Sequence, residues 1–187
     1  IREKEPEKIS LTVVTQYPEI YQEVKEYSGV HAVFCEESRL GVSYTIKAGI
    51  RAVQEAYTPE RKECCFAEEE ISSETETEKK KSWDYLMFTV ADQPNLSEKS
   101  IEALIRAAVM QDRSAKQSSF SLCCGEQVGN PCMFRADLIP ELMQLEGDKG
   151  GRSVLKKHEC CYVEIENEEE FSDIDTEEQI KKNSTVS

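Results

Sequence analysis

A chain of 187 residues is one domain's worth and long enough to bury a substantial core. Its 37 acidic side chains outnumber 23 basic ones, and the net charge of −14 excludes the basic footprint that a nucleic-acid partner requires. No apolar run approaches the ~20 residues needed to span a bilayer, so no membrane partner is expected.

The first strand is predicted over Ile9–Thr15, a β-branched run. Pro18 opens a helix to about Tyr27, with proline in the favoured first turn. Gly29 ends it, and Val30–Cys35 reads as a second strand, so the strand–helix–strand order predicts a right-handed parallel crossover. A helix from Ser43 to Ala56 places Ile46, Ile50 and Val53 on one face. Residues 68–81 hold Glu68-Glu69-Glu70 and Lys79-Lys80-Lys81, a composition that buries too little apolar surface to offset ordering and reads as a disordered insertion.

Tyr85 to Ala91 is a continuous apolar run, the mark of a strand buried on both faces inside a parallel sheet. Pro94 cannot join a ladder, so the strand stops at or before Gln93 and leaves Asp92 at its carboxyl edge. Ser97 is a good cap for a helix from Glu98 to Gln111. Gln117–Cys124 and Pro131–Arg135 look like strands around a Gly125–Gly129 turn. A short helix from Asp137 to Leu145, a glycine-rich Gly147–Arg152 segment opening another to about His158, and a strand over Cys160–Glu166 follow. Thr176 then caps a last helix.

Eight cysteines include the vicinal pairs Cys64-Cys65, Cys123-Cys124 and Cys160-Cys161. No Cys-x-x-Cys spacing accompanies them, which argues against zinc and for reduced thiols in a cytoplasmic protein. His31 and His158 are isolated and read as structural or surface residues.

An acidic side chain at a strand end, in a fold that handles phosphates, suits a magnesium ligand, and a turn aspartate capping the next helix is the competing reading of Asp92. Gly41 and Ser43 open a helix whose N-terminus favours anions, although Ser43 also suits an ordinary cap. Lys149 and Arg152 at a helix start oppose its dipole, which makes sense if an anion lies between them.

Five pieces stand in fixed order: Gly41-Val42-Ser43, Ala91-Asp92-Gln93-Pro94, Gly129-Asn130-Pro131 leading to Phe134, Gly147 to Arg152, and Asp173-Ile174-Asp175-Thr176. Together they resemble the MobA-like nucleotidyltransferases, and within them the molybdenum cofactor cytidylyltransferases. The resemblance covers about Ile9 to Ile180. It implies a three-layer Rossmann-like fold of the nucleotide-diphospho-sugar transferase kind, with a mostly parallel, mixed sheet and helices on both faces. It further implies one domain over residues 1–187, transferring CMP from CTP to molybdopterin in Mg²⁺. On the same resemblance Asp92 and Asp175 are the catalytic and metal-binding carboxylates, with Asp173 the competing choice for the second. Gly41, Ser43, Ala91 and Asp92 would meet the nucleotide, and Gly129, Asn130, Pro131, Asp148, Lys149 and Arg152 the pterin substrate. A molybdenum hydroxylase is the expected recipient of the product. The family's Leu-Ala-Ala-Gly strand and phosphate loop have no counterpart ahead of Ile9, so a first strand is expected to be missing from a chain that starts at Ile1 as a fragment or processed product would. Two alternatives stay open: the same fold using GTP or a sugar phosphate, or a catalytically degenerate module that carries the cofactor.

Overall fold

Two sheets share one helix. The computed structural model describes residues 9–57, 83–111 and 116–176, together with Gln179. The charged segment 68–81 and Cys64-Cys65 lie outside the described residues.

Strand β1 (Leu11–Thr15) pairs in parallel with β2 (Val30–Phe34), joined by helix α1 (Pro18–Lys25) with its proline in the first turn. This is the parallel crossover that the β-branched runs predict. Helix α1 buries no residue, and its main apolar contact is Tyr21 edge-on to Phe34 at 5.9 Å between ring centroids. After a 3₁₀ turn over Glu36–Leu40, helix α2 (Val42–Tyr57) crosses from this pair to the second sheet. Gly49 lets α2 approach β1 closely, since an added methyl group would stand 3.3 Å from Val14. Ile46 and Ile50 on the same helix enter a core shared with Phe134, Leu142 and Val154.

The second sheet has the order β3-β5-β4-β6, formed by β3 (Tyr85–Phe88), β5 (Gln127–Arg135), β4 (Ser119–Cys124) and β6 (Cys160–Glu164). Pairs β3–β5 and β5–β4 are antiparallel and β4–β6 is parallel, so the sheet is mixed. Helix α3 (Glu98–Met110) covers one face with Leu104 and Ala108 against Phe120, Leu122 and Met133. On the other face lie α2 and two short helices, α4 (Ile139–Leu142) and α5 (Arg152–Leu155). Alternate residues of β3 serve the two cores: Tyr85 and Met87 pack on the α3 side, Leu86 and Phe88 on the α2 side. The molecule is thus three layers, helices on both faces of mixed sheet. Each large side chain taken fully out of water here adds ~1.5–3 kcal/mol before entropy is subtracted.

Three expectations need correction. Strand β3 is covered on both faces as its apolar run requires, yet among the described residues it sits at the edge of its sheet, antiparallel to β5, and all four of its residues stay partly exposed. The Gly129-Asn130-Pro131 piece does not mark the passage from a Gly125–Gly129 turn to a strand that starts at Pro131. It lies inside β5, where Ser121 faces Cys132 while the next residue, Leu122, faces Gly129. Asn130 and Pro131 are therefore an insertion in the ladder, a bulge that bends the strand, and their peptide bond is cis. Finally, Asp137–Leu145 and Gly147–His158 yield only single helical turns, because Pro140 and the glycines shorten the regular runs.

Candidate functional site

The apolar run of β3 ends at Phe88, and Thr89 and Val90 carry the chain out to an exposed corner at Ala91-Asp92. Pro94 prevents further pairing, and Ser97 then starts α3 by accepting a hydrogen bond from the Ser100 amide at 3.2 Å. Two sequence pieces eighty residues apart meet at this corner. The Ile174 amide donates to the Asp92 carbonyl at 2.8 Å. Gln93 Nε2 donates to Asp173 Oδ1 at 2.8 Å and to the Phe171 carbonyl at 3.4 Å. One turn further on, the Ser97 amide donates to Glu170 Oε2 at 2.9 Å. Glu170 is buried, and a carboxylate at the N-terminus of α3 is where its dipole favours negative charge.

Ala91, Asp92, Pro94 and Ile174 line an open cleft of about 450 Å³. Asp92 and Asp175 are both exposed, on segments joined by the Ile174–Asp92 bond, and of the two only Asp92 lines the cleft. The Asp175 amide, with that of Thr176, donates to Gln179 Oε1 at 2.8 and 2.9 Å, while the Gln179 amide reaches back to Thr176 Oγ1 at 3.4 Å. That reciprocal pattern is a capping box, and it fixes the backbone beside Asp175 while leaving its side chain outward. A pair of carboxylates with no hydrogen bond or ion pair among the described residues is a donor set that fits a hard divalent cation, which typically takes one or two carboxylates and fills its shell with water and phosphate. Among the described residues no group of three or more His, Cys, Asp or Glu gathers to hold a metal, at this corner or elsewhere, so any ion here would rest on two carboxylates at most.

Other expected site residues fall into three places. Gly129 lies under the Phe171 ring, so close that any Cβ would overlap it, which ties the β5 bulge to the segment that carries Asp173 and Asp175. Pro131 is fully buried, while Asn130 is half-buried with its Oδ1 3.6 Å from the Cys132 thiol. Arg152 crosses to this bulge, donating to the Val128 carbonyl. Its charge pulls down the Cys132 thiol pKa, which burial pushes up overall. Ala91, Asp92, Gly129, Asn130, Arg152 and Asp175 thus belong to one linked region.

Gly41 and Ser43 sit elsewhere, packed on the Gly147 turn. The Ser43 amide donates to the Gly147 carbonyl at 3.1 Å, and its side chain is fully buried. Gly41 has φ +133° and abuts the Gly147 backbone, a position no side chain tolerates. These two residues lock a glycine turn to the start of α2 and do not offer side chains to solvent. Lys149 lines a separate cleft of about 370 Å³ with Glu141, Gln144 and Lys157, and the adjacent Asp148 is exposed. Lys149 thus lines this cleft, while Arg152 reaches the Val128 carbonyl.

Sequence reasoning missed Gln93, Glu170 and Phe171. Gln93 follows Asp92 directly, but nothing in its neighbours signals a partner so far along the chain. Phe171 ends an acidic run without periodicity, and only the small residue at Gly129 hints at a ring packed above it.

Residues 8–161 match the family profile described as the MobA-like NTP transferase domain. No curated protein matches the sequence. Among solved structures the chain is similar to Rv0371c of Mycobacterium tuberculosis H37Rv, at 14% identity and a TM-score of 0.62 over 95% of this chain and 76% of that one. A homologue of Rv0371c from Mycobacterium sp. strain JC1 aligns at 14% identity and a TM-score of 0.57, covering 93% and 72%. The manganese complex of Rv0371c aligns at 13% identity and a TM-score of 0.59, covering 95% and 77%.

Proposed function

Because this chain belongs to the MobA-like NTP transferase domain family, and so is a nucleotidyltransferase, we propose that it transfers CMP from CTP to molybdopterin and releases pyrophosphate. The observation that carries this reading is the Ile174–Asp92 hydrogen bond of 2.8 Å, which joins two remote segments bearing exposed aspartates, one of them, Asp92, lining an open cleft. The terminal phosphate of molybdopterin attacks the α-phosphorus of CTP, a new P–O bond forms, and the bond to the pyrophosphate oxygen breaks. Little covalent work falls to the protein, so alignment and charge neutralisation dominate.

In this scheme Asp92 and Asp175 hold a divalent cation, Mg²⁺ in the cell. Its chemistry when bound is to neutralise charge on the phosphate oxygens and fix their orientation. A manganese complex of a structural neighbour supports a divalent ion in this fold. Arg152, beside the β5 bulge, supplies positive charge for the pterin phosphate, and Asn130 a hydrogen-bonding edge for the pterin. Asp148 and Lys149, on or beside the other cleft, play at most an outlying part in gripping that substrate. A molybdenum hydroxylase would receive the product. Six described cysteines are free thiols, which supports a reducing, cytoplasmic setting. No helix among the described residues is long and apolar enough to cross a membrane.

We also read the unpaired edges of β1 and β3 as flanks of a slot for one more strand. Both strands are edges of their sheets among the described residues, and α2 packs on both sheets.

The test is incubation with molybdopterin, Mg²⁺ and either CTP or GTP, following pyrophosphate. The reading expects release with CTP and loss of that release in Asp92→Asn. Release with GTP alone would move the base preference, and silence with both nucleotides would contradict transfer to molybdopterin.

A further inference from the structure

Two aspartates, Asp173 and Asp175, flank the Ile174 amide that is bonded to the Asp92 corner, and the two-carboxylate site proposed above uses one of them. We infer that Gln93 makes the choice: it is a positioning residue that occupies Asp173, holds the 171–174 segment on the corner, and leaves Asp175 as the second metal-binding carboxylate. This inference rests on the two-carboxylate reading of the site.

The geometry carries it in three steps. Gln93 Nε2 donates to Asp173 Oδ1 at 2.8 Å and to the Phe171 carbonyl at 3.4 Å, so one amide grips both a side chain and the backbone two residues before it. The orientation of that amide is forced. Turned over, its oxygen would face a carboxylate and a carbonyl, three acceptors with no donor among them. Gln93 Oε1 is itself buried without a hydrogen-bond partner among the described residues, so the amide keeps its donor side on Asp173 even though its acceptor side goes unused. Third, the Ile174 amide bond to the Asp92 carbonyl at 2.8 Å lies between the two aspartates and fixes the segment on both sides of the question. Oδ1 of Asp173 is thereby engaged by a neutral donor, while Asp92 and Asp175 make no side-chain bond among the described residues. Residues that orient a ligand segment in this way usually matter nearly as much as the ligands.

The experiment is a Mn²⁺ titration followed by electron paramagnetic resonance, with thermal melting run on every variant. Gln93→Met keeps the side-chain length and removes the donor. It should weaken Mn²⁺ binding about 10–100-fold, the scale expected when an outer partner of a ligand is lost. Asp173→Asn retains an acceptor oxygen for Gln93 and should bind Mn²⁺ as the parent does. Asp173→Leu removes the acceptor and should behave like Gln93→Met, and the double variant should be no worse than either single one. Melting should show every variant folded at the temperature of the titration, so that a difference in Mn²⁺ binding between Gln93→Met and Asp173→Asn cannot be ascribed to unfolding. If Asp173→Asn loses Mn²⁺ as Asp175→Asn does, Asp173 is a ligand and the inference is wrong. It is equally wrong if Gln93→Met binds Mn²⁺ unchanged. Failure of the parent chain to bind Mn²⁺, or indifference to both Asp92→Asn and Asp175→Asn, would remove the underlying metal site and the role of Gln93 with it.

Discussion

A methyl group at Gly129 would fall on the Phe171 ring, and a ring cannot bend away as a flexible chain end can. Gly129→Ala should therefore displace Phe171, which is buried and carries the carbonyl that Gln93 grips. Overpacking of this kind costs about 1–3 kcal/mol, read as a lower urea midpoint at unchanged slope. At the same scale, two thiols report on burial. Cys123 is pushed up to about 11 by burial and then by its hydrogen bond to Glu164, and Cys160 to about 11 chiefly by burial. Folding favours their neutral forms, so this contribution to stability is complete below the ordinary thiol pKa of about 8.5 and is lost as pH climbs toward 11. Iodoacetamide should label both residues slowly at pH 8 and progressively faster toward pH 11. Rapid, complete labelling of either at pH 8 would contradict the environment described.

Helix α3 begins where Ser97 Oγ accepts from the Ser100 amide and where Glu170, from a remote segment, accepts from the Ser97 amide. Ser97→Ala should cost about 1 kcal/mol through the lost cap, measured by urea unfolding. Activity should fall little, because Asp92 and the Ile174 bond precede the helix. Elements of this kind were legible in the sequence. Apolar period marked β1, β2, α2 and α3, and capping residues marked the start of α3 within a residue. Strand β3 was legible in its composition but not in its place, since cover on two faces is the same signal for a central strand as for an edge strand flanked by two helical layers. The bulge at Asn130-Pro131 is not legible, because glycine and proline punctuate turns and bulges alike, and the predicted strand starts only at Pro131. The helices around Pro140 and after Gly151 are shorter than the sequence predicts, each a few residues long. Of the site, the carboxylates were legible as motifs, whereas Gln93's partners, set by a fold-level meeting of two segments, were not.

Across the whole molecule, stability should be uneven. Strand β4 is paired on both sides and contributes the fully buried Phe120 and Leu122, whereas β1 and β3 are each paired on one side among the described strands. Hydrogen exchange followed by mass spectrometry should show the amides of β4 protected longest and those of β1 among the first to exchange. Equal protection in β1 and β4 would mean that the outer edge of β1 is covered. The same topology gives the site its form, because the corner after β3 and the segment after β6 approach from opposite edges of the four-stranded sheet and meet over Phe171. That meeting is the central claim, and crystals soaked in Mn²⁺ test it most directly through anomalous scattering. The account predicts one strong peak between the carboxylates of Asp92 and Asp175, absent from Asp92→Asn crystals. A peak held by Asp173 in place of Asp175, or one remote from Asp92, would contradict it.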